Sequence, residues 1–152
     1  MKKFRFRLQT LLDIREAREQ EIQNELAGIL GIQNRERARQ YQLRQGIDEQ
    51  SNRFRQKISS GKYTVNEAML FERFMDVSYR AIDTAEDRVQ SMEPVVQEIR
   101  ERLVAASREK KVVEKLRQRK LDEYNYNMNR EITKEYDDMN QRLYQKKQME
   151  QN

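Results

Sequence analysis

The stretch KISSGKYTVNEAM, residues 57–69, holds the one convincing break in a chain that otherwise has a helical pattern throughout. Two serines followed by Gly61 end the first helical pattern, as is usual where a helix gives way to a turn. Thr64 and Glu67 then have the spacing of a capping box, in which each side chain bonds a free backbone amide at the start of a helix. A turn this short predicts that the two flanking helices pack antiparallel against each other.

The composition of the 152-residue chain favours long helices over a compact globule. Charged residues make up 38% and hydrophobic residues 36%, and four glycines with one proline leave few places for turns. We therefore predict an all-α fold, a long two-helix antiparallel coiled-coil hairpin whose second helix is longer and overhangs the first. Residues 1–152 are expected to form this single hairpin, with helix one at about 4–58, the turn at 59–64, helix two at about 65–143 and a frayed tail at 144–152.

Helix two has a regular hydrophobic seam, which predicts a left-handed coiled coil. Two rows with a seven-residue period alternate at spacings of three and four: Met75, Ile82, Val89, Val96 and Leu103, with Ser78, Ala85, Met92, Ile99, Ala106 and Val113. From Lys110 onward the apolar residues recur every eleven positions, which relaxes or reverses the supercoil. Pro94 lies inside the seam, and the unbroken register favours a kink over a division of the helix.

Helix one has a less regular apolar stripe. Its middle, QNRERARQYQ at residues 33–42, is almost wholly polar, and we expect this helix to fray in isolation. Folding the hairpin about Gly61 places each residue of helix one opposite a residue of helix two, and the numbers of the two residues sum to roughly 123. The basic N-terminus then lies beside the basic part of helix two, and residues past about 120 have no partner from helix one.

Several function classes are disfavoured by what the sequence lacks. Without cysteine the chain has no disulfide or thiolate metal site, and it has no histidine and no glycine-rich phosphate-binding loop. Its many carboxylates alternate with cations, as on a solvated helix face, and a two-helix hairpin offers no dry pocket. We expect no enzymatic activity, catalytic residue, cofactor, metal or small-molecule substrate.

No apolar run approaches the roughly 18 residues that span a bilayer, and charges return at Asp13 and Arg15 before a signal-peptide core forms. A cytoplasmic protein is expected.

Basic residues are crowded into Arg108–Lys120 and into the N-terminus, and the hairpin register would join them into one positive patch at its open end. The patch comprises Lys2, Lys3, Arg5, Arg7, Arg108, Lys110, Lys111, Lys115, Arg117, Arg119 and Lys120. It is either a solvated face whose side-chain stems cover the seam or a docking surface for an acidic partner. Nucleic acid is disfavoured, because carboxylates such as Glu109 and Glu114 interleave with the cations and few aromatic residues lie nearby.

A second candidate surface lies near the start of helix two. Phe71 falls on the seam, so packing in the core is its expected role. Phe74 falls beside the seam and should be partly exposed to water. With Ser78, Ala81 and Ala85 it outlines a shallow groove that a partner could fill, although a place at the flank of the core is an equal alternative.

Two segments resemble the FliJ family of flagellar type III export proteins: FRFRLQTLLDIREARE at residues 4–19 and REKKVVEKLRQRKLDEY at residues 108–124. The break at residues 59–64 fits the same family. The resemblance implies a coiled coil similar to the central stalk of rotary ATPases. It also implies a role in flagellum biogenesis, protein export, motility and chemotaxis, and a cytoplasmic location, peripherally associated with the inner membrane at the flagellar base.

The resemblance further implies three partners: the export ATPase ring, the cytoplasmic domain of the export gate, and export chaperones. The basic patch would bind and stimulate the ATPase. The gate-binding pattern of the family, a phenylalanine followed by leucine, alanine and histidine, falls best on Phe74, Ser78, Ala81 and Ala85, with Phe71 beside them. The second and fourth positions depart from that pattern. The alternative is a structural coiled coil, or a basic coil associated with nucleic acid, that has no ATPase partner.

Overall fold

The computed structural model describes residues 3–150, and the side chains of residues 3–149. It contains two α-helices, α1 at Gln9–Ser59 with 51 residues and α2 at Val65–Glu150 with 86 residues, and no strand in the described range. The two helices pack against each other as a hairpin. The predicted all-α fold, with a longer second helix, is confirmed.

The turn has the capping chemistry that its sequence predicts. The amide of Glu67 donates to the Thr64 hydroxyl at 3.2 Å, and the amide of Thr64 donates to the Glu67 carboxylate at 2.9 Å. Gly61 has a φ of 67°, a left-handed conformation that costs little in glycine. The amides of Gly61 and Lys62 bond the carbonyls of Ile58 and Lys57, as in a Schellman motif. Both helix ends are therefore satisfied within a very short connection.

Both outer helix boundaries differ from the sequence prediction. Helix one begins at Gln9 and not at about Phe4, because the cations that precede Gln9 are unfavourable at the positive end of a helix dipole. Helix two continues to Glu150 where an end at about 143 and a frayed tail were predicted. No glycine or proline follows Pro94, and Lys147 in the last turn complements the dipole. The prediction of a single domain over residues 1–152 stays a prediction.

Pro94 lies inside α2 and does not divide it. An interior proline removes one backbone hydrogen bond and crowds the preceding turn. Helix α2 continues because its neighbours on the seam, Val96 and Ile99, are almost fully buried. The alternative in which a new helix starts at this proline is therefore wrong.

The chain divides into two compact units: Gln20–Val104, and the N-terminal residues up to Glu19 together with α2 from Ala105 onward. In the first unit the buried apolar residues of α2 belong to the two predicted rows, and they are Ile82, Ala85, Val89, Val96 and Ile99. Those of α1 are Ile22 and Ile47. A coiled-coil seam between the two helices is the core of this unit.

The polar middle of α1 belongs to this seam, which the sequence analysis did not foresee. Gln33 and Gln40 are buried, and with half-buried Glu36 they continue the spacing of three and four between Ile22 and Ile47. The stripe of α1 is therefore regular in spacing and irregular only in polarity. Buried amides are tolerated where they are hydrogen-bonded, so the bonds that these side chains make decide whether this register holds.

Bonds to α2 satisfy most of these buried polar groups. The Gln33 amide donates to the Val89 carbonyl at 3.4 Å and to the Glu93 carboxylate at 3.0 Å. The Gln40 amide donates to the Glu86 carboxylate at 2.9 Å. A polar group at a seam position fixes the register of a coiled coil, because any shift would leave that group buried without a partner.

Candidate partner-binding surfaces

The open end of the hairpin belongs to the second unit, whose core is small. Leu12 of α1 and Ala106 and Val113 of α2 are its buried apolar residues among those described. Phe4 packs on Tyr124, with ring centroids 5.5 Å apart, and thereby attaches the N-terminal segment to α2. This contact accounts for the half-buried state of Phe4 and positions the arginines that follow it.

Three arginines meet beside that contact. A surface cavity of about 650 Å³ is lined by Phe4, Arg5, Phe6, Arg7, Gln9, Thr10 and Arg117. No carboxylate is among these lining residues, so three arginines line one groove without an acidic residue among them. The predicted union of N-terminal and α2 cations thus holds for Arg5, Arg7 and Arg117; Lys2 lies outside the described residues.

The other cations of the basic patch fall into two groups. Lys110 pairs with Glu19 of α1 at 2.6 Å, and this pairing raises the pKa of Lys110 and lowers the pKa of Glu19. Lys120 pairs with Glu123 of its own helix at 2.7 Å. Within the described part of the chain, no carboxylate lies within 4 Å of the remaining members, which are Lys3, Arg5, Arg7, Arg108, Lys111, Lys115, Arg117 and Arg119.

Lys110 occupies a position of the seven-residue row, where Leu103 precedes it, and its side chain is mostly covered. The patch is therefore not uniform. Lys110 is paired across the two helices, Lys120 is held by a local pair, and the groove arginines and their neighbours have no ion pair among the described residues. The ion pair between Lys110 and Glu19 was not predicted, because the approximate register of the hairpin does not identify it.

The surface next to the turn lies in the unit Gln20–Val104. Phe71 stacks on Phe54 with ring centroids 4.3 Å apart, so it is a packing residue. Phe74 is 38% exposed and Leu70 is 67% exposed. Both line a groove of about 520 Å³, together with Gln50, Arg53, Phe54, Lys57, Glu67 and Phe71.

The predicted gate-binding set is only partly at the surface. Ser78 and Ala85 are buried against α1, because the spacing of three and four places both on the seam. Ala81 is half-buried. Sequence reasoning omitted Leu70, although its distance of four residues from Phe74 puts both on one helix face. The exposed apolar surface here centres on Leu70 and Phe74.

Two further site types are absent from the described residues. They contain no group of three or more acidic, histidine or cysteine side chains that could hold a metal ion. In the same residues, neither helix has a stretch sufficiently long and apolar to cross a membrane. The surfaces that remain are the basic open end and the apolar groove beside the turn.

Comparison with protein-family models matches residues 4–149 of the 152 to the family described as flagellar FliJ protein. Comparisons with curated proteins and with solved structures gave no match. The match covers both segments that resemble the family, the turn and nearly all of both helices. The chain therefore belongs to the flagellar FliJ family, whose members are non-enzymatic components of flagellar protein export.

Proposed function

We propose that this protein is a stalk and adaptor of the flagellar export ATPase: it binds the ATPase ring through its basic open end and stimulates ATP turnover. The observation that supports this most directly is the groove in which Arg5, Arg7 and Arg117 meet without a carboxylate. Three like charges held together repel one another, and an acidic partner removes that repulsion on binding.

Arginine suits such a surface better than lysine would. Its planar guanidinium group binds a carboxylate through two parallel hydrogen bonds, which fixes the orientation of a helix inside a ring as well as its affinity. Charges spread along the same end also speed association with an acidic surface, and that acceleration declines as salt rises. Binding of the ATPase is therefore expected to weaken as ionic strength increases.

The end beside the turn serves a different partner in this proposal. Phe74 and Leu70 form an exposed apolar surface to which the cytoplasmic domain of the export gate binds, with Phe71 lining the same groove. Aromatic residues in partly formed pockets are common anchors of protein interfaces. Contacts to ring and gate at separate surfaces hold the protein peripherally at the inner membrane, at the base of the flagellum. Escort of export chaperones completes the proposed role.

The ATPase arm is tested by mixing the purified protein with its cognate export ATPase and measuring ring formation and ATP turnover. The variant Arg5→Glu, Arg7→Glu, Arg117→Glu is expected to abolish stimulation. The matched control reverses three exposed arginines of the polar stretch of α1, Arg35, Arg37 and Arg39, and changes the net charge equally. Lys110 and Lys120 stay unaltered, because each already has a carboxylate partner within the chain.

Stimulation that survives in the groove variant, or that is lost equally in both variants, would contradict the assignment of the groove. If the unaltered protein neither binds nor stimulates the ATPase, a structural coiled coil without a motor partner is the correct function. Single-stranded and duplex DNA are assayed alongside, because a basic rod binds polyanions nonspecifically. Binding to DNA as tight as binding to the ATPase would favour the alternative associated with nucleic acid.

The gate arm is tested with Phe74→Ala and a matched control, Tyr79→Ala, on a different face of the same helix. Both side chains are exposed, at 38% and 53%, so neither substitution should change the melting temperature much. Only Phe74→Ala is expected to weaken binding to the isolated gate domain in titration calorimetry. Equal binding by both variants would contradict the proposed surface.

A further inference from the structure

The last part of α2 has no bonded partner elsewhere in the described part of the chain. Beyond Tyr124, no hydrogen bond, ion pair or ring contact of the described residues joins α2 to the N-terminal segment or to α1. Residues 128–149 are nevertheless helical and carry an apolar stripe whose members are half-exposed or exposed: Met128, Ile132, Tyr136, Met139 and Leu143. An isolated helix of this length is marginal in water, so a partner is expected to cover the stripe.

The charges beside the stripe are segregated along the helix. Residues 131–138 contain four carboxylates and one lysine, whereas residues 139–149 contain three cations and no carboxylate. On one flank of the stripe the charged residues follow at spacings of four, seven and four: Glu131, Glu135, Arg142 and Lys146. At 100° per residue these positions share one side of the helix.

This order of charges is complementary to itself when the helix is reversed. Two acidic residues followed by two basic residues become two basic residues followed by two acidic ones. In an antiparallel pair, Glu131 therefore faces Lys146 of a second copy, and Glu135 faces its Arg142. The same register places Ile132 next to Leu143 of the second copy and the two Met139 side chains near the symmetry axis. A parallel pair in register would instead place the acidic segment of one copy at the same level as the acidic segment of the other, which is unfavourable.

From this pattern we infer that residues 128–149 form a self-association surface through which two copies of the chain pair antiparallel. The occupant is a second copy of this chain, since both the apolar stripe and the flanking charges complement themselves. Symmetric pairing through one surface closes after two copies and does not grow into fibres. The surface is separate from the arginine groove, and the inference does not rest on the proposed function.

Sedimentation velocity of the full chain alone, across a micromolar concentration series, tests the dimer. We expect a reversible shift from monomer to dimer, and Met139→Glu is expected to remove it because a charge would be buried near the symmetry axis. The matched control is Tyr144→Glu, since Tyr144 is exposed on another face of the same helix. A chain that stays monomeric throughout, or a dimer that Met139→Glu leaves intact, overturns the inference.

Charge reversal with rescue separates specific pairing from a loss of helix. The variant Arg142→Glu, Lys146→Glu is expected to weaken the dimer at least tenfold. Adding Glu131→Lys and Glu135→Lys restores the complementary pattern with opposite sign and should restore the dimer. Failure of this rescue while circular dichroism shows unchanged helix content would contradict the proposed charge pairs.

Cysteine cross-linking tests the orientation, because the natural chain has no cysteine. Ile132→Cys and Leu143→Cys are made as two single variants and oxidised separately and as a mixture. Antiparallel pairing predicts a disulfide-linked dimer chiefly in the mixture. Cross-linking that is as efficient within each variant alone would indicate a parallel pair and would overturn the antiparallel arrangement.

Discussion

Two stretches of α2 carry similar apolar patterns and have opposite surroundings. Between Met75 and Val113 the apolar rows face α1, and Ile99, for example, is 2% exposed. Between Met128 and Met149 an apolar stripe of similar density faces water, and Leu143 is 60% exposed. The first stretch is the core of the hairpin, whereas no hydrogen bond, ion pair or ring contact joins the second to α1 among the described residues.

The comparison teaches that an apolar stripe predicts a helix face that will be covered, but not what covers it. In the paired stretch the cover is α1, because a short capped turn supplies a second helix at high effective concentration. The described residues that precede Gln9 are not helical, so they supply no helix that could pair with the second stretch. The proposed cover there is a second copy of the chain.

The largest expected contrast comes from truncating one apolar side chain in each stretch. Ile99→Ala removes a buried side chain and should lower the free energy of unfolding by about 2–5 kcal/mol. Leu143→Ala in the dilute monomer should change it by less than about 0.5 kcal/mol, because the side chain is already solvated. Urea denaturation followed by circular dichroism measures both. Equal losses would show that the overhang is part of the core.

The paired stretch also tolerates a proline, which supplies the next contrast. Pro94→Ala restores a backbone hydrogen bond and should stabilise the hairpin by up to about 3 kcal/mol, the difference between the two residues inside a helix. The melting temperature and the midpoint in urea should both rise. A clear loss of stability would mean that the side chain of Pro94 packs in a way that alanine cannot replace.

The sequence was sufficient for the parts of the fold that depend on local chemistry. Thr64 and Glu67 identified the turn, and the seven-residue rows identified the buried face of α2. The outer boundaries were predicted less well. They depend on the dipole at a cationic N-terminus and on the absence of any breaker after Pro94, and neither effect gives a sharp pattern in the sequence.

The sequence predicted the candidate surfaces only in part. Arg5, Arg7 and Arg117 could be brought together from the register alone. The pairing of Lys110 with Glu19 could not be predicted in this way, because it requires knowing that the spacing of three and four along α1 includes polar residues. Ser78 and Ala85 were assigned to the seam by their spacing and also to a surface groove beside Phe74, which the family resemblance then indicated as well. Where pattern and resemblance disagreed, burial followed the pattern.

A smaller effect is expected where α1 is polar at the seam. Gln33 is 2% exposed and bonds Val89 and Glu93. Gln33→Leu should stabilise the hairpin by about 1 kcal/mol, since an apolar side chain of similar size gains more from burial than these bonds contribute net. Chemical denaturation measures the change. A destabilised variant would show that the bonds of Gln33 outweigh the burial of an apolar side chain at this seam position.

The smallest effect expected is a pH dependence at Lys110 and Glu19, the ion pair that separates the hairpin core from the surface cations. Hydrogen bonding to Lys110 is the main cause that lowers the pKa of Glu19 below its ordinary 4.5, while burial opposes it and a bond to Ser107 adds to it. A carboxyl group whose pKa is lower in the folded state stabilises that state above its unfolded pKa. This contribution is lost as pH falls from about 4.5 through the folded pKa. Lys110, whose pKa is raised above 10.5, stays charged throughout that range.

Thermal melting between about pH 6 and pH 3 therefore shows a decline in stability to which Glu19 contributes. Glu19→Gln keeps the size of the side chain and removes its titration, so its melting temperature should fall less steeply with acid than that of the unaltered protein. Glu49→Gln is the matched control, because Glu49 is exposed and has no ion pair in the described residues. If both variants follow the pH profile of the unaltered protein, the pair with Lys110 adds nothing to stability. Lys110 would then belong with the solvated cations of the open end and not with the seam.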